Sequence, residues 1–189
     1  LPVVWSLHDL HPATGGCIHP YDCHNFTNHC HNCPNLKRPR NHDRSWHEFD
    51  LKDRLYRRLN LHIVGNSDWT TAQARRSALM RHASSFHTIS PGVETNEFTY
   101  VEKSCARQAL GLTRKTFVVG FSCMDVSDPN KNAALLLESV QELARQSEIT
   151  LLVCGGGKLP DFDRKFAVVE LGIAQSPRLQ SIFYSACDV

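Results

Sequence analysis

The sequence has no long hydrophobic run, no dominant sign of charge and no internal repeat. Its longest apolar stretches, residues 117–121 and 149–154, are far shorter than the roughly 20 residues that span a bilayer. Lysine and arginine number 21 against 19 aspartate and glutamate, and the net charge of +2 is too small to mark a dedicated nucleic-acid binder. With 41% hydrophobic residues, the composition is typical of a globular protein with one domain or two small ones.

The first segment lacks the features of a signal peptide. The sequence starts at Leu1 rather than methionine, and residues 2–7 have the composition of a strand that is already under way. This segment is short and has no basic flank. Residues 186–189 resemble the beginning of another strand. We therefore expect the chain to be an internal part of a longer protein.

Half of the eight cysteines lie in one polar loop, residues 17–34, together with four histidines. Cys17, Cys23, Cys30 and Cys33 are separated by five, six and two residues. The loop is rich in Asn, His and Pro, so it has too little apolar surface to stabilise its own fold. We therefore expect a cross-link, called the staple below, to hold the loop in place. A Cys-X-X-Cys pair with two earlier cysteines favours a structural zinc ion, and disulfides or unligated thiols are the alternatives.

A zinc ion held by four thiolates would have a closed coordination shell. Because no position is left for water, we expect the metal to be structural rather than catalytic. A neighbouring histidine could replace one of the cysteines. Two of the other cysteines, Cys123 and Cys154, follow apolar runs and are expected to be core residues.

The rest of the sequence alternates strand-like and helix-like patterns. The apolar periodicity predicts strands at 2–7, 61–65, 85–89, 116–122, 149–154 and 168–171, and helices at 45–60, 67–80, 131–146 and 177–186. In the first helix, Trp46, Phe49, Leu55 and Leu59 recur at roughly helical spacing. This order predicts an α/β fold with parallel sheets and crossover helices. A boundary between two halves is expected within residues 91–112.

Three places follow predicted strands and could face a ligand, since ligands of open α/β sheets bind beyond the carboxyl ends of the strands. They are His8-Asp9, the loop 122–130 with Lys131 in the first turn of the next helix, and the glycine run 155–157 followed by Lys158. Each also has a structural interpretation, as a hydrogen-bonded histidine at a strand end, a solvated lysine, or a flexible strand exit.

Several motifs occur in the order typical of a known enzyme family. They are residues 5–17 (WSLHDLHPATGGC), Cys23, residues 30–34 (CHNCP), 64–69 (VGNSDW) with Ser77, 89–94 (ISPGVE) with Phe98, 106–112 (ARQALGL), Gly155, and 184–188 (YSACD). Together these motifs resemble those of a cysteine-bearing subgroup of the family-four glycosyltransferases, and the resemblance extends over the whole sequence.

The resemblance implies a GT-B fold, in which two Rossmann-like domains face a cleft. Residues 1–95, with the Cys-rich loop 17–34, would be the C-terminal part of the acceptor-side domain. Residues 96–189 would be the first part of the nucleotide-sugar domain. The implied reaction moves a sugar, with retention of configuration, from a nucleotide-sugar donor to a glycan or lipid-linked acceptor in polysaccharide biosynthesis, and needs no metal for the chemistry.

The resemblance also implies roles for individual residues. His8 matches the family's histidine near the reacting centre, and Asp9 beside it is a second catalytic candidate. Lys131 matches the lysine that neutralises the donor diphosphate, while Gly155 and Gly156 would shape the donor pocket. We accordingly expect a cytoplasmic protein, with peripheral association with the inner face of the membrane as a further expectation.

The sequence departs from the family pattern at several positions. Asn130 and Asn132 flank Lys131 where a basic residue and a glycine are usual, and Pro91 and Glu94 replace the usual asparagine and aspartate. The family's phosphate-binding glycine loop and its paired glutamates lie outside this sequence, so the isolated chain is expected to be inactive.

A binding module stapled by zinc is the alternative to an enzyme. Its motivation is the basic segment 37–40 (KRPR) beside the Cys-rich loop, which could contact a protein or a nucleic acid. The α/β pattern continues for about 150 residues beyond the loop, more than a small zinc module needs. We therefore favour the transferase and do not expect a nucleic-acid partner.

Overall fold

The structure, a computed structural model, describes residues 1–112, 115–163 and 165–189. The chain divides into two compact units, Leu1–Gly92 and Val93–Val189. Each unit contains a three-stranded sheet whose neighbouring strands all run parallel. The predicted α/β class with parallel sheets is therefore confirmed, and both units are compatible with a Rossmann-like arrangement.

The first unit is a parallel sheet with a long irregular connection after its first strand. Its strands are β1 (Pro2–Leu7), β2 (Asn60–Gly65) and β3 (Ser85–Thr88), in the spatial order β1-β2-β3. Its helices are α1 (Arg44–Tyr56) and α2 (Asp68–Arg76), with short 3-10 turns at His11–Ala13, Asn25–Thr27 and Ala78–Met80. The Cys-rich loop lies in the connection between β1 and α1.

The buried face of α1 contains only part of the apolar set that recurs at helical spacing. Ser45, Phe49 and Tyr56 are buried, and Tyr56 meets the Trp5 ring edge-on with 5.5 Å between centroids. Leu55 and Leu59 are 50% and 40% exposed. The helix ends at Tyr56, which leaves Leu59 in the following turn, and Leu55 lies outside the face set by positions 45, 49 and 56.

The second unit repeats the strand–helix alternation. Its strands β4 (Phe117–Asp125), β5 (Ile149–Gly156) and β6 (Ala167–Glu170) are ordered β4-β5-β6. Its helices are α3 (Lys103–Ala109), which the sequence analysis missed, α4 (Ala133–Leu143) and α5 (Pro177–Ala186). None of the helices formed by the described residues is both long enough and apolar enough to cross a membrane.

The central strand β5 is covered on both faces. Ile149, Leu151 and Val153 belong to one buried cluster, whereas Leu152 and Cys154 belong to another that includes Phe183 of α5. Side chains of a strand point alternately to opposite faces, so this division is the one that a two-sided parallel sheet requires. The prediction of a core position is confirmed for Cys154, while Cys123 is half-buried.

A carboxylate ties the end of the second unit to its sheet. Asp188 accepts hydrogen bonds from the backbone N–H of Val118 at 2.8 Å, from Lys103 Nζ at 2.8 Å and from an Arg107 guanidinium nitrogen at 2.5 Å. Burial raises the pKa of Asp188, but these donors outweigh burial and lower the pKa to about 2. The carboxylate therefore connects α3 to the beginning of β4.

We expect Leu61→Ala to lower the free energy of unfolding of the first unit by about 2–5 kcal/mol, because Leu61 is 2% exposed on the central strand and its truncation leaves a cavity. The matched control is Leu55→Ala, which removes the same atoms from a half-exposed helical position and should cost below about 1 kcal/mol. All three tryptophans lie in this unit. Urea unfolding followed by tryptophan fluorescence measures both effects, and equal losses would contradict the packing described.

Acid should remove the contribution of Asp188. Its folded pKa of about 2 lies below the ordinary 3.8, so its contribution to stability is complete above about pH 5 and is lost as the pH falls through 2. After allowance for solvent screening we expect Asp188→Asn to cost about 1 kcal/mol near neutral pH. Urea unfolding followed by far-UV circular dichroism should show the wild-type and variant curves converging in acid. A difference independent of pH would contradict this.

Candidate functional site

His8 lies at the carboxyl edge of the first sheet, directly after β1, and is exposed. Its backbone carbonyl accepts a hydrogen bond from the Asn66 side-chain amide at 3.5 Å, and the Asn66 N–H donates to the carbonyl of Leu7 at 3.3 Å. Asn66 follows β2, so the ends of two parallel strands are joined beside the imidazole. The geometry holds the His8 backbone while leaving its side chain at the surface.

Asp9 has a structural role in the turn after β1. One of its carboxylate oxygens accepts from the His11 N–H at 2.7 Å, which fixes the start of the 3-10 turn His11–Ala13. The residue between them, Leu10, is fully buried. This contact accounts for Asp9 without a ligand, and the catalytic roles of His8 and Asp9 stay predictions.

Two side chains from distant segments hold the same turn. Lys52 Nζ, from α1, donates to the carbonyls of His11 at 2.7 Å and Thr14 at 3.1 Å. Ser77 Oγ donates to the carbonyl of Ala13 at 2.7 Å. Burial lowers the pKa of Lys52, and the negative charge of nearby Glu48 opposes that shift. This role of Lys52 was not predictable from the sequence, because a lysine on an amphipathic helix carries no local mark of a partner some forty positions away.

Lys131 does not lie in the first turn of α4, so that prediction is wrong. It ends a separate 3-10 turn, Pro129–Lys131, whose preceding residue Asp128 accepts from the Asn130 N–H. Asn132 then adopts a left-handed φ of 50° and caps α4, with its side chain accepting from the Leu135 N–H. Asparagine tolerates this conformation better than most residues, and it separates the lysine from the helix.

The loop that carries Lys131 packs on the end of β5. A Cβ at Gly155 would lie 2.5 Å from the Cys123 carbonyl oxygen, and one at Gly157 would lie 2.1 Å from an Asp125 carboxylate oxygen. The Val126 N–H also donates to the Gly156 carbonyl at 2.9 Å. The glycine run therefore allows two strand ends to approach closely, which is a structural reason for these residues.

The predicted donor-binding residues lie at this edge of the second sheet. Burial raises the pKa of the Cys123 thiol, and the positive charge of Lys131 opposes the shift. Asp125 and Asp128 are close to the same thiol and add negative charge. The proposed donor roles of Lys131, Gly155 and Gly156 stay predictions, and His8 belongs to the other unit.

The four cysteines of the loop share one cavity. Cys17, Cys23, Cys30 and Cys33 all line a single cavity of about 20 Å³, also lined by Phe26. Cys30 is buried and the others are half-buried; all eight cysteines of the chain are free thiols. Among the described residues, no group of three or more His, Cys, Asp or Glu is already placed to hold a metal ion. Binding of a metal ion would therefore require these side chains to rearrange.

Burial favours the protonated form of two of these thiols, Cys17 and Cys30. It raises the pKa of Cys17, and it raises that of Cys30 to about 12, with the Gly15 N–H opposing the shift by donating to Cys30 Sγ at 3.2 Å. Negative charge on the neighbouring cysteines would raise both values further. Cys17 and Cys30 therefore keep their protons unless a cation replaces those protons.

Asp43 connects the Cys-rich loop to α1. One carboxylate oxygen accepts from the N–H groups of Cys33 at 2.8 Å and Arg40 at 3.4 Å, and the other accepts from Ser45 Oγ at 2.6 Å and the Trp46 N–H at 3.3 Å. Burial raises the pKa of Asp43, but these donors outweigh it and lower the pKa to about 2. An aspartate before a helical pattern is a cap signal, which the sequence analysis did not use.

We expect Asp43→Ala to lower the free energy of unfolding of the first unit by about 2–3 kcal/mol, because it leaves buried donors without an acceptor. Asp50→Ala is the matched control, since Asp50 makes an exposed ion pair with Arg54 and should contribute below about 1 kcal/mol. Urea unfolding followed by tryptophan fluorescence compares them. Equal, small effects would show that the connection does not depend on this carboxylate.

No protein-family model matches this chain, and no curated protein matches it either.

Proposed function

We propose that this chain is part of a retaining glycosyltransferase that moves a sugar from a nucleotide-sugar donor to a glycan or lipid-linked acceptor in polysaccharide biosynthesis. The observation that carries the proposal is that Lys131 lies in the loop after β4 and the glycine run lies at the end of the neighbouring strand β5. In parallel α/β sheets this edge is where nucleotide phosphates bind. The motif order that resembles the family-four glycosyltransferases supports the same function.

The donor diphosphate suits the chemistry of this edge. The leaving nucleoside diphosphate gains negative charge in the transition state, and a fixed ammonium group stabilises that charge. The backbone N–H of Val126 donates to the carbonyl of Gly156, so the loop that presents Lys131 is held against β5. Asp125 and Asp128 reduce the positive potential around the lysine, and we therefore expect weak binding by the isolated chain.

His8 would act from the acceptor-side unit. An exposed imidazole at a strand end can donate to or accept from a sugar hydroxyl, depending on its tautomer. The turn that follows it is fixed through Asp9, Lys52 and Ser77. A histidine whose backbone is held by Asn66 and whose next turn is braced in this way is suited to positioning a substrate group.

One observation favours the binding-module alternative, namely the exposure of residues 37–40 next to the Cys-rich loop. Phosphate contacts by such a segment would weaken steeply with salt. Tight association with single-stranded RNA in low salt, abolished by replacing Lys37 and Arg38 with glutamine, would support a nucleic-acid module instead of the transferase.

The transferase proposal is tested by titrating the chain with UDP, GDP and ADP and following backbone amide signals by NMR. We expect at least one of these nucleotides to shift the amides of residues 123–132 and 155–158 selectively. Lys131→Gln should weaken that binding about fivefold to tenfold, which corresponds to about 1 kcal/mol.

The control is Lys165→Gln, because Lys165 lies at the amino-terminal edge of the same sheet, beside Glu148 and Ala167. This variant should bind as the wild type does. The proposal fails if none of the three nucleotides shifts these amides, or if the two lysine variants lose the same affinity.

A further inference from the structure

We propose that the four cysteines of the loop bind one zinc ion as thiolates, and that this structural site holds the connection between β1 and α1. The site lies wholly in the first unit, and it needs no nucleotide or sugar. Zinc binding can therefore be tested separately from the proposed transferase activity.

The cavity has the size and lining for one ion. Its volume is about 20 Å³, which is enough for a single water-sized particle but too small for an iron–sulfur cluster. Four sulfur ligands around one ion favour tetrahedral zinc. The thiols line the cavity, but they are not yet arranged as a ligand set, so binding requires their side chains to rearrange. Each thiol that becomes a ligand releases one proton to solvent.

Three of the nearby histidines are occupied by other contacts. His29 Nδ1 lies 2.9 Å from the Cys30 carbonyl oxygen, and its ring packs on Phe49 with 4.5 Å between centroids. His24 Nδ1 lies 3.5 Å from an Arg76 guanidinium nitrogen. His19 meets the Tyr21 ring. These contacts favour the four cysteines as the ligand set.

His31 is the one histidine that also lines the cavity, and its Nδ1 lies 3.1 Å from the Asn32 side-chain nitrogen. Asn32 has a left-handed φ of 44°, which turns the backbone between Cys30 and Cys33. Such a turn lets both thiols of a Cys-X-X-Cys pair face one point. His31 is therefore expected to be a neighbour of the metal and not a ligand.

The backbone around the cavity provides support for a thiolate. The Gly15 N–H donates to Cys30 Sγ, and a side chain at Gly15 cannot fit, since its Cβ would lie 2.3 Å from the Ser45 carbonyl oxygen and 2.7 Å from the Cys30 Cβ. Contacts of this kind tune metal affinity from outside the ligand shell. Gly15 thus links the cavity to the beginning of α1.

The loop has few other means of holding its shape. Within residues 16–42 the buried side chains are those of Pro20, Phe26 and Cys30. Burial of so little apolar surface cannot offset the conformational entropy of ordering a segment of this length. A metal ion that joins four points along the loop supplies the missing free energy.

The test is metal analysis of the chain purified without chelator and with a non-chelating phosphine reductant. We expect about one zinc ion per chain in the wild type, in His31→Ala and in Cys105→Ser, whose exposed thiol lies in the other unit. Cys23→Ser and Cys33→Ser should bind zinc more weakly by about a hundredfold or more. Gly15→Ala should lower the zinc affinity about tenfold. Gly92→Ala, whose added Cβ has no atom within contact distance, should leave the zinc affinity unchanged.

A second measurement uses the wild type alone and therefore does not require the variants to fold. Adding zinc to chelator-treated wild type should raise the temperature of unfolding seen by tryptophan fluorescence, because a ligand that binds only the folded state stabilises it. Full zinc content in Cys23→Ser, no zinc effect on the wild type, or disulfides among the four cysteines found by mass spectrometry would each overturn the proposal. None of these outcomes bears on nucleotide binding.

Discussion

The first unit must order a long polar connection that has no core of its own. Residues 8–43 separate β1 from α1, and apart from Leu10, Ala13, Pro20, Phe26 and Cys30 they bury little apolar surface. Order must therefore come from specific polar contacts at each end. Near β1, the carbonyls of residues 11, 13 and 14 accept from Lys52 and Ser77, and near α1 the carboxylate of Asp43 collects four donors. The cysteine cavity lies between these two anchored ends.

This arrangement connects the loop to the candidate catalytic edge. His8 precedes the turn that Lys52 binds, and Lys52 belongs to the helix whose cap is Asp43. Gly15 contacts both Cys30 and the carbonyl of Ser45 at the beginning of that helix. A disturbance at the cavity would therefore reach the position of His8 through packed groups and hydrogen bonds. Under the proposed function, the metal would influence acceptor-side geometry without taking part in the reaction.

The elements with strong local signals were predictable from the sequence. Helix α5 was predicted at residues 177–186 and is observed there, because Ser176 and Pro177 form a clear cap and first turn before an amphipathic run. The six strands predicted within residues 2–171 were also found, since short apolar runs bounded by turn residues define them. The expected beginning of a further strand at 186–189 was wrong, because α5 extends to Ala186 and the next three residues do not form a strand. The position of Lys131 was not predictable from pattern alone, because the left-handed Asn132 inserts a break between two helical turns.

The candidate sites depend on contacts that local patterns do not encode. Lys52 donates to carbonyls 38 and 41 positions away. The periodicity of α1 does not indicate which residue of the helix makes these contacts. Leu55 and Leu59 fit a helical spacing but lie outside the buried face, which tertiary packing selected. The spacing of the four cysteines did indicate a common site, and the structure brings their side chains to one cavity. The spacing alone could not distinguish a zinc ion from disulfides or unligated thiols.

X-ray absorption at the zinc edge of the purified chain tests most directly whether a zinc ion bound by the four cysteines holds the Cys-rich loop. We expect a single shell of four sulfur ligands at about 2.3 Å from the zinc ion. A shell dominated by nitrogen or oxygen, or protein without zinc that keeps the same fold, would contradict it.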